Sequence, residues 1–133
     1  MNTNQKLALL IADYAVRIIT VNRFVELPEL PAIRSMRIAG DVAYAIRNVI
    51  YTKSPPFRFT VDYYMRYAAL TAANSASYAF SAVDSKRKTN IAYNTAKTTQ
   101  NAVFTINHIA DGVKIGNGAN TYAINIRELI NIA

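Results

Sequence analysis

Between Thr60 and Val83 alanine occupies positions 68, 69, 72, 73, 76 and 79. Spacings of three and four put these residues on one side of a helix, and a side that small lets a neighbouring helix approach very closely. A second line, Tyr64, Tyr67, Thr71, Asn74, Tyr78 and Ser81, marks a more polar face of the same segment. Such a ridge has no use without helices to receive it, so the chain is constrained toward a helical bundle. Thr60 is the expected N-cap of this segment, with Asp62 favourable at its positive end.

The rest of the chain supplies the partners. From Gln5 to Phe24, Leu7, Leu10, Ile11, Tyr14, Ile18, Val21 and Val25 recur on one face and Ala8, Ala12, Ala15 and Ile19 widen it. A helix this apolar is buried or interfacial. It is not a membrane span, because Asp13 and Arg17 sit in the middle of a run only marginally long enough to cross. The sequence Glu26 to Pro31, ELPELP, makes a stiff extended connector. A second helix follows with Pro31 in its first turn and ends at Ser54-Pro55-Pro56. After a basic turn from Asp84 to Thr89, Ala92, Ala96, Thr99, Val103, Ile106, Ala110 and Val113 alternate four and three apart through a fourth helix. Asp111-Gly112 and Gly116-Asn117-Gly118 read as breakers, and residues 119 to 133 fit a helix better than a strand. The expectation is a single all-α domain over 1–133. It is a bundle of four to five helices (31–133) with an N-terminal helical arm (1–25) joined through the proline-rich connector.

Composition narrows function. No cysteine is present, which removes disulfide scaffolds, thiolate catalysis and sulfur-ligated zinc. His108 is the one histidine; with Asn107 and Asp111 it could form a polar trio, but a lone surface or capping histidine explains it better. No catalytic residue, metal site, cofactor or small-molecule substrate is expected, and the protein is not read as an enzyme. Fifteen Lys and Arg against eight Asp and Glu leave a net charge of +7, a bias toward anionic partners. Charged residues make up only 17% of the chain and tyrosines number nine, a surface suited to burial against copies of itself. The N-terminus lacks a signal-peptide layout.

The basic residues are dispersed, with only Lys86-Arg87-Lys88 forming a run, but the second helix carries a periodic basic and aromatic stripe. Arg37, Gly40, Tyr44, Arg47 and Tyr51 recur three or four apart, with Arg34 one turn earlier. Over positions 34 to 66, Arg34, Arg37, Arg47, Lys53, Arg58 and Arg66 oppose only Asp41 and Asp62. The competing explanation is a solvated arginine face with half-buried tyrosines, which accounts for single residues but not for that imbalance. Dispersed Lys and Arg along helices can follow regularly spaced phosphates without reading bases. No zinc-finger spacing, RNP motif or GXXG loop is present to read a sequence. Arg17, Arg23, Arg34, Arg37, Arg47, Lys53 and Arg58 are therefore the candidate phosphate ligands, with Tyr44 and Tyr51 packing beside the sugar-phosphate surface and Gly40 allowing close approach. Lys86-Arg87-Lys88 is a secondary contact at most. Gly116-Asn117-Gly118 lacks the preceding strand and following Lys-Ser/Thr of a phosphate-cradling loop.

Size, basic balance, absence of cysteine, Tyr/Asn/Thr/Ile-rich helices and a proline-jointed N-terminal helix together resemble the major coat proteins of filamentous and rod-shaped viruses of hyperthermophilic archaea. The resemblance covers the whole chain in style and transfers no individual residue. It implies copies that pair and wrap double-stranded DNA, held in an A-like form, into a helical nucleocapsid with the N-terminal helices against the DNA. The partners implied are DNA and copies of the chain, with a second related coat protein left open; the location implied is the virion, otherwise the cytoplasm. Residues 66 to 123 are also similar to the two alanine-rich helices of small immunity proteins of bacterial toxin systems, which would make the chain a protein-binding module. Against that alternative, Asn, Thr and Ser replace much of the alanine, the second histidine after His108 is missing, and the charge is basic where acidic is expected.

Overall fold

The computed structural model describes residues 1–22 and 26–115, which form four helices: α1 (Thr3–Asn22), α2 (Met36–Tyr51), α3 (Val61–Asp84) and α4 (Lys88–Ile115). No strand occurs among the described residues. Arg23, the end of the expected first helix at Phe24, the Gly116-Asn117-Gly118 turn and the expected helix over 119–133 lie outside them.

α3 is the centre of the bundle. Its Ala68, Ala69, Ala72, Ala73, Ala76, Ala79 and Ala82 are all essentially inaccessible to solvent, and α1, α2 and α4 each pack against it. All three neighbours run opposite to it. α4 pairs Thr105 with Thr71 and Thr98 with Ser75; α2 pairs Arg47 with Ser77 and Gly40 with Phe80; α1 begins where α3 ends, with Gln5 on Ala82 and Val83. Alanine on several sides of one helix is what three close neighbours demand, because large side chains would hold the axes near the wide end of the 8–10 Å range.

α1 and α2 run the same way, so the chain must return along α1 before α2 can start. A 13-residue link can span about 43 Å and α1 is about 30 Å long, so the return fits. Ile33 is buried on this return, and its N–H donates to Asp13 Oδ1 at 2.9 Å; Leu27 and Leu30 pack on the core.

The helix ends follow their capping chemistry. Asn2 and Gln5 form a reciprocal capping box: Gln5 N–H donates to Asn2 Oδ1 (2.9 Å) and Asn2 N–H to Gln5 Oε1 (2.8 Å). Gln5 Nε2 then donates to the Ala82 and Val83 carbonyls at 3.1 and 3.2 Å, tying the start of α1 to the last turn of α3. Thr60 caps α3 as expected, its hydroxyl accepting from Tyr63 N–H. α2 begins later than Pro31 suggests, because Ser35 is its cap and accepts from Ile38 N–H; residues 31–34 precede the helix.

Three further expectations change. α1 is one of the four bundle helices, packed against α3 and α4, and not an arm beside a bundle of residues 31–133. Gly112 does not break α4, which continues to Ile115; a Cβ there would run into Met65 Cε and lie 3.3 Å from Tyr64 Cβ, so glycine serves helix contact. On α1 the buried side is Ala8, Leu9, Ala12, Ala15, Val16, Ile18 and Ile19, whereas Leu7, Leu10 and Val21 face outward. The buried side of α4 is half polar: Thr95, Thr98, Asn101 and Thr105 face inward beside Ile91, Ala102 and Ile109. Thr98 and Thr105 return their hydroxyls to the carbonyl four residues back, and Ser75 donates to Thr98 O at 2.9 Å, so these groups are satisfied.

Candidate nucleic-acid interface

α2 lies on one flank of α3, grazes α1 and makes no contact with α4. Ala39, Val42, Ala43, Ile46 and Ile50 enter the core and leave the opposite side in solvent. At 100° per residue, the stripe that begins at Arg37 drifts round the axis: Tyr44 and Tyr51 stay within about 40° of it, but Gly40 and Arg47 lie about 60–80° away. That drift divides the stripe between two surroundings.

The outward part carries Arg37, Tyr44 and Tyr51, with side chain or residue exposures of 90%, 73% and 66%. Arg34, just before the Ser35 cap, and Lys53 and Arg58, just beyond the helix, are also exposed. Asp41 is the one acid on this face. Its carboxylate is 3.8 Å from Arg37 Nε, and both side chains are largely in solvent, so the pair is weak and leaves the guanidinium available to another anion.

The inward part does structural work. Arg47 is half-buried and donates from Nη1 to Ser77 Oγ (2.7 Å) and from Nη2 to Asn74 Oδ1 (2.9 Å), bracing α2 against α3. Gly40 faces α3, where an added Cβ would meet Phe80 Cδ2 at 3.2 Å, so its missing side chain accommodates Phe80 and not an outside partner. Arg66, counted in the charge imbalance, donates to the Ile50 carbonyl at 3.1 Å and satisfies a C-terminal acceptor of α2. Arg17 is exposed on α1, a helix that barely touches α2, and is not part of the same face.

Two residues join the face that periodicity did not single out. Phe57 is 89% exposed and Phe59 64%, on either side of Arg58 in the link between α2 and α3. Phe59 has φ of 62°, a left-handed conformation costly for a bulky residue, and the turn is closed by the Thr60 hydroxyl donating to Phe57 O at 2.8 Å. The signal was present in Pro55-Pro56-Phe57-Arg58-Phe59: aromatic residues after a proline pair, with no helical period to carry them inward. The resulting surface alternates cations and rings over the 21 Å or so from Arg37 to Tyr51 and into the link. It can receive phosphates on the guanidinium and ammonium groups and pack sugars or bases against the rings.

Elsewhere the chemistry is sparse. His108 stands beside Tyr67, ring centroids 5.8 Å apart, at the end of a line of contacts running Phe59, Tyr63, Tyr67. Burial pushes its imidazole below the usual pKa of 6.5, with Asp111 opposing. No cluster of three or more His, Cys, Asp or Glu suited to a metal ion occurs among the described residues. No helix among them is long and apolar enough to cross a membrane. The chain matches no protein-family model, no curated protein and no solved structure.

Proposed function

We propose that this chain is a structural protein that self-assembles and packages double-stranded DNA through sequence-independent phosphate contacts, as a major coat or nucleocapsid protein of an archaeal virus resides in its virion. The observation that carries the reading is the outward face of α2 and the following link. Arg34, Arg37, Lys53 and Arg58 stand in solvent there among Tyr44, Tyr51, Phe57 and Phe59, opposed by Asp41. These four cations are the phosphate ligands. Arg47 holds the face in position instead of touching the duplex. Arg17 lies on the outer side of α1, which is packed into the bundle against α3 and α4, so the N-terminal helix meets DNA from the bundle surface and not as a separate arm; Arg23 follows it in sequence.

Two features support assembly: little charge on the surface, and large apolar side chains left outside on α1 and α4, among them Leu7, Leu10, Val103 and Phe104. Particle mass measured by light scattering, with and without duplex DNA of unrelated sequences, tests the reading. Large particles that require DNA but not a particular sequence are expected. A chain that keeps one small mass under both conditions would overturn it.

A further inference from the structure

The outer side of α4 carries a pattern its buried side does not explain. Ala92, Ala96, Thr99, Val103, Ile106 and Ala110 are all exposed, Val103 by 48%, while Ile91, Thr95, Thr98, Ala102, Thr105 and Ile109 face the bundle. The exposed six alternate at spacings of four and three, the seam by which two helices pack side by side, and none is charged. The seam is also its own mirror in position. Ala92 and Ala110 lie nine residues either side of position 101, Ala96 and Ile106 five, and Thr99 and Val103 two.

A two-fold axis makes residue i of one copy meet residue j of the other while j meets i. An axis at the level of position 101 therefore stacks Ala96 on the second copy's Ile106, small against large, and Thr99 on its Val103, two β-branched side chains of nearly equal size. Ala92 then meets the second copy's Ala110. A parallel pairing would set Ala96 on Ala96 and leave a gap in that layer, with the bulk gathered at Ile106 on Ile106.

We propose that this face of α4 is an antiparallel two-fold interface between two copies of the chain. The seam runs about 27 Å. One helix pair of that length is at the small end of stable contacts, roughly 1,200 Å² in total, so association falls in the micromolar range or weaker. The nearest cation, Lys97, is turned aside onto the Tyr93 ring (5.7 Å) and Gln100 Oε1 (3.1 Å). Because α4 and α2 do not touch, pairing through α4 leaves both basic faces open, and a dimer can grip two stretches of DNA. This identifies the partner and geometry for the assembly part of the proposed function and does not depend on its DNA part.

Sedimentation of the full chain without nucleic acid, from about 10 μM to 1 mM, tests it. Wild-type chain should pass from monomer to dimer, and more readily as salt rises, since screening relieves the +7 charge on each copy. Thr99→Lys alone and Val103→Glu alone should each weaken association at least tenfold, with thermal midpoints that confirm folding. An equal mixture of the two variants should associate better than either, because only the antiparallel register brings the new cation against the new anion. DNA binding by Val103→Glu on short duplexes should persist, which separates failure of this interface from failure of the basic face. A wild-type chain monomeric throughout would overturn the inference and leave the seam to residues 116–133, which lie outside the described residues, or to another protein. So would a Val103→Glu chain that associates normally, or a mixture no better than its parts.

Discussion

Arg37 and Arg47 belong to one periodic stripe, yet replacing each by alanine should damage different properties. Arg47 donates two charge-assisted hydrogen bonds to α3, at 2.7 and 2.9 Å. Bonds of this kind each contribute about 1.5–3 kcal/mol, but Ser77 and Asn74 are half-exposed and water can replace part of the loss, so about 2 kcal/mol in total is reasonable. With an unfolding entropy of about 2.1 cal/mol/K per residue, that lowers the midpoint of the 133-residue chain by about 7 °C. Arg37→Ala removes an exposed ion pair at 3.8 Å and should leave the midpoint within about 2 °C. Duplex binding, measured well below both midpoints, should show the reverse: near wild-type for Arg47→Ala, weaker for Arg37→Ala on any sequence. Scanning calorimetry and a binding titration on the same two proteins decide it. If Arg47→Ala melts like wild type and loses DNA, the division of the stripe into brace and ligand is wrong.

Three other outcomes follow from particular contacts. Gln5→Ala removes the reciprocal cap of α1 and two bonds to the end of α3, and should cost about 2–3 kcal/mol by urea denaturation; a loss under about 0.5 kcal/mol would mean that the α1 to α3 tie is idle. Gly112→Ala gains up to about 1 kcal/mol of helix propensity but forces the terminal methyl of Met65 to repack inside the core and crowds Tyr64 Cβ. The change should therefore destabilise by about 1–2 kcal/mol net, and a stabilised variant would show that α3 and α4 are looser than their contact implies. His108 has a folded pKa below 6.5, so the unfolded chain takes up its proton first; its contribution to stability is complete above about pH 6.5 and is lost as pH falls through the folded value. His108→Gln should flatten that part of the stability profile, and an unchanged profile would assign the slope to other groups.

Much of the architecture was legible because it rests on local rules. Thr60 begins α3 by a hydroxyl cap that needs no tertiary context, and the alanine ridge is buried because nothing larger allows three helices so close. What was not legible depends on which face meets which neighbour. In α1, apolar residues surround most of the helix, and Leu7, Leu10 and Val21 suggested the wrong side; the small Ala8, Ala12 and Ala15 are what fit against α3 and α4. In α4 the apolar seam lies outside while threonines line the interior, since their hydroxyls can satisfy themselves on the preceding turn. Pro31 was a weaker start signal than Ser35, because a proline only tolerates a first turn and a serine cap satisfies one of its N–H groups. The basic face itself was visible in the charge count. Its membership was not, because hydrogen bonds to residues 27 and 30 positions away decide the orientation of Arg47.

The central claim is that exposed cations on α2 and the following link neutralise DNA phosphates regardless of sequence. Its most direct test is the salt dependence of binding by a chain carrying Arg37→Ala, Lys53→Ala and Arg58→Ala together, on two unrelated duplexes. Each lost phosphate contact removes about 0.9 from the log-log slope on B-form DNA, so the triple variant should fall short of wild type by about 2.7, equally on both duplexes. Slopes and affinities unchanged from wild type would contradict the account.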